Sequence, residues 1–316
     1  MYKDKTVAVV VPAYNEEKLI GRVIETIPDF VDHLVIVDDL STDGTTEVVE
    51  GYLENANDHI VLIQLEENHG VGGAIAEGYK WCRDHHIQAT AVMGGDAQMD
   101  PEDLPALLDP VVSGEVDYSK GNRLFTGEAW QKIPKIRYMG NAVLSLLTKI
   151  ASGYWHVADS QTGYTVANHK VLSTIDLDGI YKRYGMPNDM LVKLNIYNFR
   201  VRDVEIKPIY GIGEKSGFRP LLIIPKFSWL LTRLFFYRIF QKYIIRDFHP
   251  LVFFYILSFL LILIGTGLSI RMLVIFLDVG VFPPINALAV FFSFIVGIQM
   301  LLFAMWFDMD SNKHLR

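Results

Sequence analysis

The chain has 316 residues, 51% of them apolar, and its 29 basic and 36 acidic residues give a formal charge of −7. That balance excludes the basic surface with which nucleic-acid binders displace counterions, and a single cysteine, Cys82, excludes an intramolecular disulfide and agrees with a reducing compartment. The apolar excess is uneven: the first 220 residues alternate short apolar runs with polar stretches, whereas the last 70 are dominated by Leu, Ile, Phe and Val.

At the N-terminus the only apolar run, residues 7–11 before Pro12, is too short for the core of a signal peptide, so this domain is expected to stay where it was made. β-Branched runs at 6–11, 33–37, 60–65 and 89–93 predict strands, and helical spacing at 17–27 and 45–55 predicts helices between them. Such alternation gives an α/β fold, a mostly parallel sheet with helices on both faces. Ligands then sit at the carboxyl ends of the strands, so the segments that follow each strand are where chemistry is expected.

The first of these segments reads Pro12-Ala13-Tyr14-Asn15-Glu16-Glu17, and the second Asp38-Asp39-Leu40-Ser41-Thr42-Asp43-Gly44. Asp43-Gly44 is turn chemistry, but two adjacent carboxylates repel one another unless something binds them. The third, Asn68-His69-Gly70-Val71-Gly72-Gly73, opens a helix and can offer backbone N–H groups, Gly73 among them, to a nucleotide phosphate. Its spacing fails the G-x-G-x-x-G dinucleotide pattern, because the third glycine would fall on Ile75. The fourth, Gly94-Gly95-Asp96-Ala97-Gln98-Met99-Asp100-Pro101, offers two oxygen ligands two residues apart, Asp96 and Gln98, suited to a hard divalent cation. Asp100-Pro101 reads instead as a helix cap.

Toward the C-terminus, residues 226–247 mix Arg233, Arg238, Lys242 and Arg246 with aromatic and aliphatic residues, and Arg238, Lys242 and Arg246 fall on one helix face. An amphipathic helix of that kind lies in the headgroup plane, where Arg233, Arg238 or Lys242 is expected to attract anionic headgroups. The 21 uncharged residues 250–270 are long enough to cross a hydrocarbon layer of about 30 Å. A second uncharged stretch, 279–307, predicts a second span entered near Ile285 after Pro283 and Pro284. Basic residues before the first span, against Arg271 and Asp278 between the two, place the N-terminal domain and both termini in the cytoplasm.

Taken in order over residues 5–220, the four post-strand motifs resemble the family 2 glycosyltransferases of GT-A (Rossmann-like) fold. Within them the likeness is to the polyprenyl-phosphate branch that includes dolichyl-phosphate mannose synthase. The resemblance implies that Pro12, Ala13, Tyr14 and Glu16 line the nucleotide pocket and that one of Asp38 and Asp39, more often the second, meets the base. Asp96 and Gln98 then look like ligands of Mg or Mn, with Asp96 also beside the nucleotide. The family usually has a further aspartate where this chain has Gly94, so one carboxylate is missing from the site. Gly121-Asn122-Arg123 looks like the family's Gly-x-Arg turn, whose arginine approaches donor or acceptor phosphate. Asp159, in Asp159-Ser160-Gln161-Thr162-Gly163, stands where the acceptor is oriented or deprotonated, and Asp189 takes a place often held by Glu. Lys215 and Arg219 are candidates to clamp the acceptor phosphate in a loop whose basic residues are permuted relative to the family's.

The organisation expected is a cytoplasmic GT-A catalytic domain at 1–220, interfacial helices at 221–247, a transmembrane hairpin at 248–310 and a short tail at 311–316. The partners expected are a nucleotide-sugar, UDP-glucose, UDP-N-acetylglucosamine or GDP-mannose, a dolichyl or other polyprenyl phosphate, and membrane lipid. A homo-oligomer is compatible with this, and a plasma or endoplasmic-reticulum-type membrane is the expected location. Processive polysaccharide synthases share the nucleotide motifs, but the Arg-Trp pair of their signature does not occur here. The alternative is a catalytically impaired nucleotide-sugar-binding anchor or flippase component, a reading whose only support is Gly94.

Overall fold

The structure is a computed structural model that describes residues 1–53, 59–124, 135–207, 209 and 220–316. It falls into two compact units, Met1–Phe236 with Leu315–Arg316, and Tyr237–His314.

The first unit is built on a seven-stranded sheet of order β3-β2-β1-β4-β6-β5-β7. Its strands are β1 (Val7–Ala13), β2 (His33–Asp38), β3 (Ile60–Gln64), β4 (Ala89–Val92), β5 (Tyr118–Asn122), β6 (Thr165–Asn168) and β7 (Val201–Glu205). Every pairing is parallel except those of β6 with β4 and β5. Central strands covered on both faces need apolar residues throughout, and five of the first five residues of β1 are buried. Ala8 and Val10 point into one core with Val35, Val37, Tyr79 and Cys82. Val7, Val9 and Val11 point into the other, with Leu104, Leu107 and Leu108.

Helices α1 (Ile20–Thr26), α2 (Thr45–Leu53), α3 (Val71–Asp84) and α4 (Leu104–Val112) connect the early strands. They are followed by α5 (Lys135–Ser152), α6 (His169–Thr174) and α7 (Met186–Ile196). Gly78 lets α3 press on β1, since a Cβ there would come within 2.3 Å of Val10 Cγ1. Asp100 accepts the Glu102 N–H at 3.0 Å ahead of α4, the capping expected of Asp100-Pro101. Because order reverses at β1, whose neighbours are β2 and β4, the crevice at the carboxyl ends of these three strands is the switch point of the sheet. Leu315 is 1% exposed and packs in the core cluster that holds Tyr79 and Cys82.

Helix α8 (Pro220–Phe240) ends in a π-helical turn, Gln241–Arg246, and α9 (Leu251–Val279) and α10 (Pro284–Asn312) are both long and apolar enough to cross a membrane. Within the second unit Ser258 Oγ donates to the Gly297 carbonyl at 2.8 Å. A Cβ on Gly297 would lie 3.1 Å from Ile262, so small residues let α9 and α10 approach closely. Arg238 and Lys242 do not face headgroups as expected. Both are buried, Arg238 completely. The Arg238 guanidinium donates from Nη1 and Nη2 to the two oxygens of Asp308 at 2.7 and 2.9 Å, and Lys242 Nζ donates to Asn312 Oδ1 at 2.7 Å. The physical reason is Asp308, just past the second uncharged stretch and wholly buried: a buried carboxylate without a cation is prohibitively costly.

Candidate active site

The loops after β1 and β2 are stitched together by short polar side chains. Asn15 N–H donates to Ser41 Oγ at 3.0 Å, Thr42 N–H to Asn15 Oδ1 at 2.7 Å, and Glu16 N–H to Thr45 Oγ1 at 2.8 Å. Three non-glycine residues take left-handed backbone conformations at the ends of β1, β2 and β4: Asn15 (φ 57), Leu40 (φ 63) and Ala97 (φ 54). Each costs on the order of 1–3 kcal/mol, and such strain clusters where a ligand must be met. Ala13 is buried, while Tyr14 turns outward, 48% exposed, at the crevice rim.

Both carboxylates of the Asp38-Asp39 pair are buried, and each has its own partners. Asp38 accepts from Ser41 N–H at 3.1 Å and Thr46 Oγ1 at 2.7 Å. Asp39 accepts from the backbone N–H groups of His69 and Gly70 at 2.6 and 2.8 Å. The repulsion read from the sequence is thus answered by the protein's own donors. The glycine-rich turn has a partner of its own: the N–H groups of Gly72 and Gly73 donate to the Lys182 carbonyl at 2.9 and 3.3 Å. A Cβ on Gly72 would stand 2.1 Å from the Tyr181 carbonyl oxygen, and one on Gly73 2.4 Å from His69 Cβ. Gly72 admits a neighbouring backbone and Gly73 the His69 side chain, and the Gly73 N–H donates to the Lys182 carbonyl where a nucleotide phosphate was expected.

At the carboxyl end of β5, Arg123 and Asp159 form a bidentate pair, Nε to Oδ2 at 2.8 Å and Nη2 to Oδ1 at 3.1 Å, and the Arg123 N–H also donates to Oδ2 at 3.2 Å. Asp159 is fully buried. Burial works to raise its carboxyl, but Arg123 and then Lys120 outweigh it and hold it below the usual carboxylate range. It is therefore ionised at neutral pH and poorly suited to take a proton.

Residues 8–182 match the profile described as Glycosyl transferase family 2. The chain belongs to that family. Over 219 residues the transferase is 29% identical to a UDP-N-acetylglucosamine–dolichyl-phosphate N-acetylglucosaminyltransferase of Methanococcus voltae, covering 66% of this chain and 87% of the relative. It is 30% identical over 220 residues to an undecaprenyl-phosphate mannosyltransferase of Micrococcus luteus, covering 67% and 88%. Among solved structures, glucosyl-3-phosphoglycerate synthase of Mycobacterium tuberculosis with Mn2+, uridine diphosphate and phosphoglyceric acid matches with TM-score 0.54 and 19% identity, over 74% of this chain and 78% of that one. That likeness establishes the GT-A fold.

Whether the transferase can hold a cation is decided by the turn after β4. Asp96 Oδ1 accepts the Gln98 N–H at 3.1 Å, so the two expected ligands are folded onto one turn. The missing side chains of Gly94 and Gly95 leave a cradle: a Cβ on Gly94 would lie 2.9 Å from Asp96 Oδ1, and one on Gly95 3.5 Å from Glu16 Cγ. Among the described residues no group of three His, Cys, Asp or Glu could hold a metal. The set on hand is two carboxylates and an amide oxygen, which suits a hard cation that takes its remaining ligands from water and phosphate. The Glu16 carboxyl is pushed up to about 7, first by burial and then by the charges of Asp96 and Asp43.

Beneath the Arg123–Asp159 pair lie two groups that the sequence reading passed over. The Lys120 ammonium, buried in β5, donates to the Thr162 carbonyl, and burial brings it down to about 8 against the pull of Asp159 and Asp203. Asp203 Oδ2 accepts from Asn122 Nδ2 at 2.7 Å and Ala158 N–H at 2.6 Å, and burial raises its carboxyl to about 6. The available signal was an ionisable residue inside each of two short strands, Tyr118–Asn122 and Val201–Glu205. Asp189 is engaged in the fold: it accepts Lys193 Nζ at 2.5 Å and the Tyr181 N–H at 2.9 Å. Lys215 and Arg219 lie outside the described residues.

Proposed function

We propose that the transferase moves one sugar from a nucleotide-sugar to dolichyl or another polyprenyl phosphate at the cytoplasmic face of a membrane. The observation that carries this reading is the kinship with the Methanococcus and Micrococcus enzymes, both named for sugar transfer to a polyprenyl phosphate and matched over 87% and 88% of their lengths. In this chain two helices of membrane-crossing length follow the catalytic domain, and the last two residues belong again to the catalytic unit. A two-pass hairpin with both ends on the cytoplasmic side accounts for that return.

The crevice lined by Pro12, Ala13, Tyr14, Glu16, Asp38 and Asp39 takes the nucleotide, with a UDP-sugar, glucose or N-acetylglucosamine, preferred over GDP-mannose. Asp96 and Gln98 would hold a divalent cation, Mg or Mn, which when bound offsets the charge developing on the leaving diphosphate. The acceptor is a phosphate monoester with a second pKa of about 6, largely dianionic at neutral pH, and needs little help from a base. Arg123 presents a planar fork to phosphate oxygens, and Asp159, buried behind it, fixes the direction in which that fork points. Lys215 and Arg219 would add charge on the acceptor side. A single in-line displacement inverts the anomeric centre.

The test is to supply purified protein with dolichyl or undecaprenyl phosphate and, in turn, UDP-glucose, UDP-N-acetylglucosamine and GDP-mannose, with magnesium, manganese or chelator. A lipid-linked monosaccharide that appears from a UDP-sugar and disappears with chelator is the expected result. Nucleotide binding without product from any donor in any metal would move the catalytically impaired anchor to the front.

A further inference from the structure

We propose that Glu16 supplies the second carboxylate of the divalent-cation site, taking over from the aspartate that is missing at Gly94. This inference rests on the nucleotide-sugar reading above and names the residue that completes its metal centre.

Glu16 and Asp96 come from different loops that the sheet holds side by side. β1 pairs with β4 in parallel register, Val10 opposite Val92, and the Gly95 N–H donates to the Pro12 carbonyl at 3.3 Å. Residues 12–16 and 94–98 therefore leave the sheet together. Over the two glycines the side chains converge, with Asp96 Oδ1 2.9 Å from where a Gly94 Cβ would stand and Glu16 Cγ 3.5 Å from where a Gly95 Cβ would stand. The Asp96 carboxylate thus occupies the space in which a side chain at 94 would begin, and Glu16, from the loop after β1, lies over the next glycine, near enough for the charge of Asp96 to act on it.

Among the described residues the Glu16 carboxylate has no hydrogen-bond or ion-pair partner, although its backbone N–H is fixed by Thr45 Oγ1 at 2.8 Å. A half-buried carboxylate held beside a second one, with its main chain anchored and its oxygens uncommitted, is arranged to meet a cation. The extra methylene of Glu relative to Asp gives the reach that an origin on the adjacent loop requires. With Gln98 the protein then contributes three oxygens, and the diphosphate and water fill an octahedral shell, the pattern in which Mg2+ binds through one or two carboxylates and substrate phosphates. Gly94 on this account is a relocation of one ligand and no loss of function.

The experiment measures Mn2+ binding to the full-length protein in detergent with UDP present, read from the paramagnetic signal of free Mn2+, and UDP binding in chelator by calorimetry. Glu16→Gln is expected to weaken Mn2+ binding by at least about tenfold, as loss of a ligand-sphere group does, and to weaken chelator-resistant UDP binding by a clearly smaller factor. Adding Gly94→Asp to Glu16→Gln returns a second carboxylate to the site and should restore most of the Mn2+ affinity once the Asp96 carboxylate, 2.9 Å from the new Cβ, swings aside. Unchanged Mn2+ affinity in Glu16→Gln would overturn the inference alone, as would equal losses of Mn2+ and of chelator-resistant UDP, which would make Glu16 a nucleotide contact and no cation ligand. A wild-type protein that binds neither UDP nor Mn2+ would overturn the nucleotide-sugar reading itself.

Discussion

Arg123 holds Asp159 at three points, two through its guanidinium and one through its own backbone N–H. Under the proposed function an acid so committed, and fully buried, serves the reaction through the arginine. Asp159→Asn keeps the shape but turns one acceptor oxygen into an NH2 donor, and for a residue that positions the arginine the transfer rate is expected to fall by less than about tenfold. A fall of several orders of magnitude, measured with saturating lipid phosphate, would mean that Asp159 removes a proton after all.

Asp203 and Lys120 give opposite pH signatures. Asp203, raised by burial to about 6, contributes stability that is present below its unfolded value of about 4 and is lost as pH rises through about 6. Lys120, lowered by burial to about 8, contributes stability that is present above its unfolded value of about 10.4 and is lost as pH falls through about 8. Asp203→Asn should therefore flatten the melting-temperature curve between about pH 4 and 6, and Lys120→Met between about pH 8 and 10. Thermal melts across that range check both, and a variant that keeps the wild-type slope rejects its own assignment.

Two glycines in helices should respond in opposite directions to alanine. At Gly72 the added methyl would meet the Tyr181 carbonyl oxygen at 2.1 Å, a backbone atom that cannot step aside, so a loss of about 1–3 kcal/mol or more is expected. At Gly51, exposed on α2 with nothing within 4 Å, Gly51→Ala should gain about 0.5–1 kcal/mol from helix propensity. Parallel unfolding measurements on the two variants decide the matter, and equal responses would contradict the packing of residues 181–183 against α3.

The Arg238–Asp308 pair is expected to be costly to break and cheap to replace. Asp308→Ala leaves a buried guanidinium uncompensated and should lower stability by about 3–5 kcal/mol. Combining Arg238→Met with Asp308→Leu should recover most of that loss. Melting both variants in one detergent tests it, and a double variant no more stable than the single would show that Tyr243, which donates to Asp308 at 2.7 Å, depends on the charge.

The catalytic motifs were legible because each follows a short apolar strand directly, so local pattern alone brings Tyr14, Asp39 and Asp96 to the same edge of the sheet. What could not be read is pairing across long separations. Arg238 looks like a headgroup ligand until Asp308, 70 residues on, is seen beside it. The glycines at 70–73 look like a phosphate cradle until the Lys182 carbonyl arrives. Strands β5 and β7 were hidden for a related reason: Lys120 and Asp203 interrupt their apolar pattern, and only burial near one another makes those charges tolerable.

The place of Leu315 sets an order of events in the making of the protein. Its side chain fills part of the core shared by Tyr79 and Cys82, yet the ribosome reaches it only after both long apolar helices have been synthesised. Domains generally begin to fold as they emerge, N-terminal parts first. Here the sheet can form early, but its hydrophobic interior stays short of one residue until α10 has been completed, so the last packing step of the catalytic domain comes after both apolar helices have been made.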